Sequence, residues 1–193
     1  MLKRSAALAQ GCLPRLCAAP AGNLIMNNEQ LTARLDALES RAAIESLISA
    51  YANAFDRIDA SLLSSIWHEE STLDLPGFGQ AGNRDEILAM AQNSWRQMPH
   101  MHHWMANPLI EIEGDSAVGT VAADCLFHDI EKGPVQVSGL YHDRFERRDG
   151  KWAFLARRFE MHFLTPLKDW VPAAGEEQFA PYEQLKGTTA KNE

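Results

Sequence analysis

The sequence predicts an α+β domain in which helices come first and long antiparallel strands follow. Apolar residues recur with helical spacing up to about residue 98, and the apolar period changes to two between residues 101 and 163. Turn signals separate the strand-like runs, and Asp149-Gly150 is a strong hairpin signal among them. Helices followed by strands are typical of α+β folds. We therefore expect a long, bent antiparallel sheet wrapped against the early helices, with a pocket between them.

The first helical region ends near Asp56. Leu31, Leu35 and Leu38 predict a short lead-in helix, and Ser40 is expected to cap a second helix that follows it. That second helix carries an apolar stripe with helical spacing: Ile44, Leu47, Ile48, Tyr51, Ala52 and Phe55. Asp56 falls at the C-terminal end, where the helix dipole disfavours a carboxylate. Such a local conflict is typical of a functional site, although a solvated helix-end aspartate fits the pattern equally well.

Shorter elements and four strands complete the predicted order. A short helix over Leu62–Trp67 precedes a strand over Ser71–Leu75 and a turn at residues 76–79. Asn83 is expected to cap a helix that runs to about Met98. Period-two alternation then predicts the strands Met101–Ile112, Ala117–His128, Val137–Arg147 and Trp152–Phe163.

The two ends of the chain differ from its middle. Residues 1–25 carry three basic and no acidic residues, and the amphipathic pattern begins just after Met26. This composition predicts a disordered or irregular segment. Either Met26 is the true start of the protein, or residues 1–25 are a signal or transit peptide with an unusually short apolar run. We predict one domain over residues 26–168 and an irregular arm over residues 169–193.

The composition excludes several classes of function. The formal net charge is −8 and the sequence pI is near 5.4, and the arginines near residue 147 alternate with acids, so no face suits a phosphate backbone. No apolar stretch is long enough to cross a bilayer. The three cysteines lack metal spacing, and we expect no disulfide framework and a buried thiol at Cys125. We expect a cytoplasmic protein that binds neither nucleic acid nor membrane.

Tyr51, Asp56 and His103 form the candidate catalytic set. A carboxylate beside a histidine in an apolar pocket fixes the imidazole tautomer and raises its basicity, so the ring can take a proton. His103 would be the base, Asp56 would orient it, and Tyr51 could donate a hydrogen bond to a carbonyl or a leaving hydroxyl. The competing interpretation is a packed Tyr51 and a structural His103. His100 and His102 also suggest a metal site, but no further ligand has suitable spacing, and we expect no metal and no cofactor.

Methionines and aromatic residues predict a pocket for a small hydrophobic substrate. The expected substrate contacts are Met98, Met101, Trp104, Phe127, His128 and Phe159. Ordinary core packing explains most of these side chains equally well, so they do not identify the substrate.

Several short motifs occur in a characteristic order between about residues 34 and 168. They are Ser40-Arg41-Ala42-Ala43-Ile44, Asp56, Ser65-Ile66-Trp67, Trp95, His103, Asn107, the run from Phe145 to Trp152, and Phe163-Leu164-Thr165-Pro166-Leu167. In this order they resemble the SnoaL-like branch of the nuclear transport factor-like superfamily, and within it the γ-hexachlorocyclohexane dehydrochlorinase, bile acid 7α-dehydratase and scytalone dehydratase group. The resemblance implies a cone-shaped α+β barrel, also called cystatin-like. It also implies a homo-oligomer, with a trimer favoured over a dimer.

The resemblance further implies roles for individual residues. Asp56 and His103 match the family's carboxylate–histidine dyad, and Arg157 matches a strand arginine that helps to stabilise the departing anion in the dehydrochlorinase. Tyr51 stands where that enzyme has a lysine, as in the bile acid dehydratase, which favours an oxygen leaving group. Asp124 is the candidate for a polar catalytic residue on the strand after the histidine. On residue pattern alone, Arg157 could equally pair with Asp143 or Glu160 across the strands.

Three functions remain open from the sequence. The first is a cofactor-independent lyase, a dehydratase or dehydrohalogenase, acting on a hydrophobic alicyclic or steroid-like compound. The second is an isomerase or polyketide-type cyclase that moves a proton with the same dyad. The third is a non-catalytic ligand-binding or assembly module. Tyr51 beside Asp56 favours the first two.

Overall fold

Residues 27–167 are described by the computed structural model, and in them three helices accompany a six-stranded sheet. The elements are α1 (Asn28–Asp56), α2 (Ala60–Ser65), β1 (Trp67–Leu75), β2 (Gly79–Ala81), α3 (Arg84–Gln97), β3 (His100–Glu113), β4 (Ser116–Asp129), β5 (Gly133–Arg148) and β6 (Lys151–Pro166). The predicted α+β class is confirmed. The predictions of a disordered start over residues 1–25 and an irregular arm over residues 169–193 fall outside the described residues.

The strand order is β2-β1-β6-β5-β4-β3, and one pair departs from the expected antiparallel arrangement. β1 pairs with β6 in parallel, whereas the other neighbours are antiparallel. The reason is the path of the chain, because α3 carries it from β2 to the far edge and three antiparallel connections then bring β6 back beside β1. β2 and β3 form the two edges, so the sheet is not closed.

Helix α1 is one continuous helix, and the expected break at Ser40 is wrong. The cap is Asn27, whose side chain accepts a hydrogen bond from the Gln30 N–H at 2.8 Å, while the Gln30 side chain accepts one from the Asn27 N–H at 3.2 Å. Since no Gly or Pro interrupts the following turns, the helix continues through Ser40. That side chain is buried and accepts a hydrogen bond from Arg147. The predicted end at Asp56 is confirmed.

The hydrophobic core lies between α1 and the inner face of the sheet. Ile44, Ile48, Tyr51 and Phe55 of the predicted stripe are buried there, because helical spacing places them on one side of α1. The expected cap of α3 at Asn83 is also confirmed, since its side chain accepts a hydrogen bond from the Glu86 N–H. Within residues 27–167, no helix has the length and apolar character needed to cross a membrane.

The hairpin between β5 and β6 forms where the sequence predicts it. Arg148 pairs with Lys151, and the two residues between them, Asp149 and Gly150, have φ angles of 50° and 75°. Positive φ at both central positions is the backbone conformation that a type I′ turn requires. This turn sets the register of the two longest strands, which carry several of the side chains described below.

Candidate active site

The end of α1 and the beginning of β3 bring Asp56 and His103 into direct contact. Nδ1 of His103 lies 2.5 Å from Oδ1 of Asp56, and the backbone N–H of His103 donates to Oδ2 at 2.9 Å. Both carboxylate oxygens are thus engaged, which fixes the ring and assigns Nδ1 to Asp56. The His103 side chain is 8% exposed and the Asp56 side chain is 15% exposed. The remaining ring nitrogen, Nε2, is the one available for proton exchange with a ligand.

His103 lies on the wall of a cavity of about 70 Å³. The lining is mainly apolar: Tyr51, Phe55, Leu75, Phe78, Ser94, Met98, Met101, His103, Ala123, Cys125, Phe127, Val137, Tyr141 and Phe159. Four expected substrate contacts belong to it, namely Met98, Met101, Phe127 and Phe159. An engineered protein cavity of about 150 Å³ holds benzene, so a ring-sized ligand requires side chains here to shift. The methionines are the flexible part of the wall.

The alternation of β3 removes one expected contact from the cavity. Met101 and His103 point inward, so His102 and Trp104 point outward. Trp104 is 48% exposed and packs edge-on against His102, with ring centroids 4.3 Å apart. The prediction that Trp104 contacts the substrate is therefore wrong in its placement, because strand alternation, and not aromatic character, decides which side chains of β3 face the cavity.

Strand alternation also places two expected site residues of β4, Asp124 and His128, away from the cavity. Cys125 pairs with His103 in register, and Cys125 and Phe127 face the cavity. Asp124 and His128 consequently point to the outer face. Asp124 is exposed and accepts a hydrogen bond from Ser138 on β5, so its expected position in the pocket is wrong. His128 is only partly buried and is absent from the cavity wall, so its expected substrate contact is also wrong in placement.

Arg157 is buried behind the cavity wall instead of lining it. Its Nε and Nη2 donate to the two oxygens of Asp143 at 2.8 and 2.7 Å, and both side chains are 0% exposed. Its Cζ lies 4.2 Å from the ring centroid of Tyr51 and 4.2 Å from that of Tyr141. The cross-strand pairing left open by the sequence is therefore present. Arg157 is absent from the cavity wall, whereas Tyr51 and Tyr141, against which its guanidinium packs, belong to it.

Tyr141 is the polar residue that sequence reasoning missed, and Asp143 was foreseen only as one of two possible partners of Arg157. Both lie on β5, on the face that also buries Phe145. The sequence contains a signal for these positions. Period-two alternation places Tyr141, Asp143 and Phe145 on one face of β5, and a carboxylate buried among apolar side chains requires a positively charged partner. The only cation that meets this requirement among residues 27–167 is Arg157, the register partner of Asp143.

The tyrosines are buried and pack against each other edge to face. Tyr51 is 1% and Tyr141 5% exposed, and their ring centroids lie 5.6 Å apart. Burial raises the pKa of Tyr51, while the positive charge of Arg157 partly offsets the rise. Burial raises the pKa of Tyr141 as well, and the neighbouring Tyr51 adds to the rise. At neutral pH, both hydroxyls therefore keep their protons.

The pKa of His103 is shifted upward. Burial opposes the charged ring, but the Cys125 sulfur and the Asp56 carboxylate outweigh burial and raise the pKa of His103 to about 10. Asp56 is in direct hydrogen-bonding contact with the ring, so we attribute the upward direction mainly to Asp56. Cys125 itself is partly buried and free, not fully buried as expected.

Among the described residues 27–167, no group of three or more His, Cys, Asp or Glu side chains has the arrangement of a metal site. His102, which the sequence offered as a candidate ligand, is exposed, and its Nδ1 lies 3.9 Å from Oδ2 of Asp56.

The profile of the SnoaL-like domain family matches residues 36–158. The chain belongs to this family. Among curated relatives, γ-hexachlorocyclohexane dehydrochlorinase of Sphingobium indicum is 29% identical over 136 residues, which are 69% of this chain and 87% of that protein. The crystal structure of a type 2 hexachlorocyclohexane dehydrochlorinase, LinA, superposes with a TM-score of 0.70 over 74% of this chain and 99% of its own, also at 29% identity.

A more distant structure shares the fold. A protein assigned as a scytalone dehydratase, from Novosphingobium aromaticivorans, superposes with a TM-score of 0.64 at 20% identity, over 73% of this chain and 95% of its own. Dehydrochlorinases are lyases, so this SnoaL-like chain has lyase homologues.

Proposed function

We propose that this SnoaL-like protein is a cofactor-independent lyase that begins β-elimination by proton abstraction at His103. The observation that carries the proposal is the contact between Asp56 and His103, whose ring lies on the wall of a mainly apolar cavity. An apolar wall removes competing water, so a positioned base acts on the ligand rather than on solvent. Positioned proton transfer typically contributes about 10²–10⁴-fold to a rate.

The proposed step balances without a cofactor. Nε2 of His103 takes a proton from the substrate carbon, the C–H electron pair forms the new double bond, and the leaving group departs from the adjacent carbon. A chloride departs as the anion, whereas a hydroxyl departs as water after the imidazolium returns the proton to it. Asp56 holds Nδ1 and stabilises the imidazolium that forms. Tyr51 donates a hydrogen bond to an oxygen of the substrate. Because the pKa of His103 is raised, the neutral base becomes more abundant as pH rises, and the rate is expected to rise with it.

The nature of the substrate follows from the wall of the cavity. A small apolar space favours a compact alicyclic compound, and a larger ring system requires movement of Met98 and Met101. Tyr51 is a neutral donor at neutral pH, which suits an oxygen leaving group or a carbonyl better than a departing chloride. We therefore favour dehydration over dehydrochlorination.

An isomerase is the second candidate. Tyr51 and Tyr141 both line the cavity, and their hydroxyls suit an enolate oxygen; an enolate can regain its proton at another carbon. The products distinguish the two candidates, since elimination releases water whereas isomerisation moves a double bond.

The test is turnover of cyclic β-hydroxy ketones by His103→Gln, with His142→Gln as the matched control. His142 lies on the outer face of β5 and pairs with Glu160. We expect a loss of about 10²–10⁴-fold for His103→Gln and a change below twofold for the control. Equal turnover by His103→Gln and the wild type would refute the proposal.

We also propose a homo-oligomer, with a trimer favoured by the family resemblance. Leu109 and Val118 are each at least half exposed and border the same surface depression, so they offer an apolar contact to a neighbouring subunit. Light scattering during size-exclusion chromatography is the measurement, and a monodisperse monomer would contradict the proposal.

A further inference from the structure

Cys125 faces His103 across two neighbouring strands. The two residues are directly opposite each other in the antiparallel pairing of β3 and β4, and both line the cavity. The Cβ atoms of such opposite residues lie about 4.5–5.5 Å apart, which brings a cysteine sulfur within reach of the neighbouring ring. Burial lowers the pKa of His103, whereas the Cys125 sulfur and the Asp56 carboxylate raise it, which agrees with a sulfur close to the imidazole.

A carboxylate, an imidazole and a thiol therefore follow one another from the end of α1 to the cavity. Asp56 binds Nδ1 of His103 at 2.5 Å, so Nε2 is the ring nitrogen left for exchange with the thiol or with a ligand. The His103 side chain is 8% exposed and lines the cavity, so it is a buried polar group directed at the ligand space. A nucleophile, a base beside it and a third group that orients the base form the arrangement that activates cysteine nucleophiles.

No structural bond occupies the thiol of Cys125. The cysteine is free, and its sulfur donates to the carbonyl oxygen of Leu126 at 3.7 Å. A thiol is a weak donor, so this contact holds the sulfur only weakly. The side chain is partly buried and belongs to the cavity wall, in contrast to a thiol packed inside the core. A ligand in the cavity can therefore reach the sulfur.

From this geometry, we infer that Cys125 is a covalent attachment site for small, uncharged electrophiles, of which α,β-unsaturated ketones are the class that fits. The wall is mainly apolar, which disfavours charged reagents, and the nucleophile is the thiolate. The sulfur bonds to the β-carbon as His103 takes the thiol proton, and the electron pair of the double bond moves onto the carbonyl as an enolate. The imidazolium then gives the proton to the α-carbon, so the whole ketone is added and nothing leaves.

This covalent chemistry goes beyond the proposed function and does not depend on it. Dehydration of a β-hydroxy ketone yields an α,β-unsaturated ketone, so the product of the proposed reaction belongs to the class that Cys125 takes. Because Cys125 and His103 share the cavity wall, the adduct is expected to block turnover.

The test is the rate of adduct formation with cyclohex-2-enone. Intact mass spectrometry of the full chain follows the addition, and peptide mapping separates Cys125 from Cys12 and Cys17. N-acetylcysteine in the same solution is the reference thiol. Cyclohexanone, which has nearly the same size but no conjugated double bond, is the competitor. The proteins are the wild type, His103→Gln and the outer-face control His142→Gln.

In the wild type at pH 7, Cys125 is expected to react about tenfold faster than N-acetylcysteine, because a free thiol is only a few per cent thiolate at that pH. Cyclohexanone should slow the reaction at Cys125 and leave that of the reference thiol unchanged. His103→Gln should lower the rate at Cys125 to that of the reference or below, and His142→Gln should leave it unchanged. Near-ultraviolet circular dichroism checks that each variant is folded.

A Cys125 that reacts no faster than N-acetylcysteine, or that cyclohexanone does not protect, would be an ordinary thiol and would overturn the inference. Protection is measured on the wild type alone, so it remains decisive if a variant is unstable. An undiminished rate in folded His103→Gln would overturn the inference as well. The proposed function fails by a different result, unchanged turnover in His103→Gln, so adduct formation without lyase activity would leave the attachment site and remove the lyase.

Discussion

Replacing Asp56 with asparagine tests the dyad without changing its shape. The carboxylate makes two contacts with His103, at 2.5 Å to the ring and 2.9 Å to the backbone N–H. The amide introduced by Asp56→Asn keeps one acceptor oxygen, but it lacks the negative charge that favours the imidazolium. We therefore expect the pKa of His103 to fall in this variant.

The effect on stability can be worked out from the direction of the pKa shift. In the wild type, the pKa of His103 is raised to about 10, above its unfolded value of about 6.5. The stabilisation is then fully present below pH about 6.5 and is lost as pH rises towards about 10. A hydrogen bond to a charged group contributes about 1.5–3 kcal/mol, and the pair is largely buried. Asp56→Asn should therefore lower the free energy of unfolding by about 1.5–3 kcal/mol at pH 6.5, and by less at pH 9.5.

Two measurements check this prediction. Urea denaturation at pH 6.5 and 9.5 gives the free energy of unfolding, and NMR titration of the imidazole ring gives the pKa of His103. Asp124→Asn is the matched control, because it removes an exposed carboxylate on the outer face of β4, and we expect a change within about 0.5 kcal/mol. A wild-type pKa of His103 at or below 6.5, or one unchanged in Asp56→Asn, would refute the reasoning.

Three further predictions concern residues around the cavity. Asp143→Asn leaves the Arg157 guanidinium buried without its counter-charge. Urea denaturation should therefore show that the free energy of unfolding falls by about 3–5 kcal/mol. A decrease below about 1 kcal/mol would contradict the burial of this pair. Gly139→Ala introduces a methyl group that overlaps a carbonyl oxygen of β6 and the ring of Phe159. Thermal denaturation should therefore show that the free energy of unfolding falls by about 1–3 kcal/mol. An unchanged melting temperature would count against the packing described. Trp104→Ala should change turnover less than twofold, since its side chain faces outward, whereas a tenfold loss would place it in the site after all.

The helical part of the site could be predicted from the sequence because one periodicity determines it. The stripe from Ile44 to Phe55 fixes the buried side of α1, and its end fixes Asp56 at the edge of the sheet. The hairpin at Asp149-Gly150 likewise follows from local backbone preference. These features depend on near neighbours in the chain, so a single sequence contains them.

The strand part could not be predicted as fully, because it depends on register between distant residues. Which side of β4 faces inward is decided by the pairing of Cys125 with His103, and this pairing put Asp124 outside. On β6, the pairing skips Leu155, so the inward side changes parity between Phe154 and Arg157. Strict alternation from Phe154 would therefore predict that Arg157 faces outward. Its packing against the tyrosine rings follows only from the register shift in the folded sheet.

Deuterium exchange into cyclohexanone is the most direct test of proton abstraction by the dyad. The probe is a compact ketone with acidic α-protons and no leaving group, so exchange in D₂O followed by NMR reports on the base alone. We predict that the wild type accelerates exchange above the buffer rate and that His103→Gln returns it to the buffer rate. Equal exchange rates with the wild type and His103→Gln would contradict the assignment of His103 as the base.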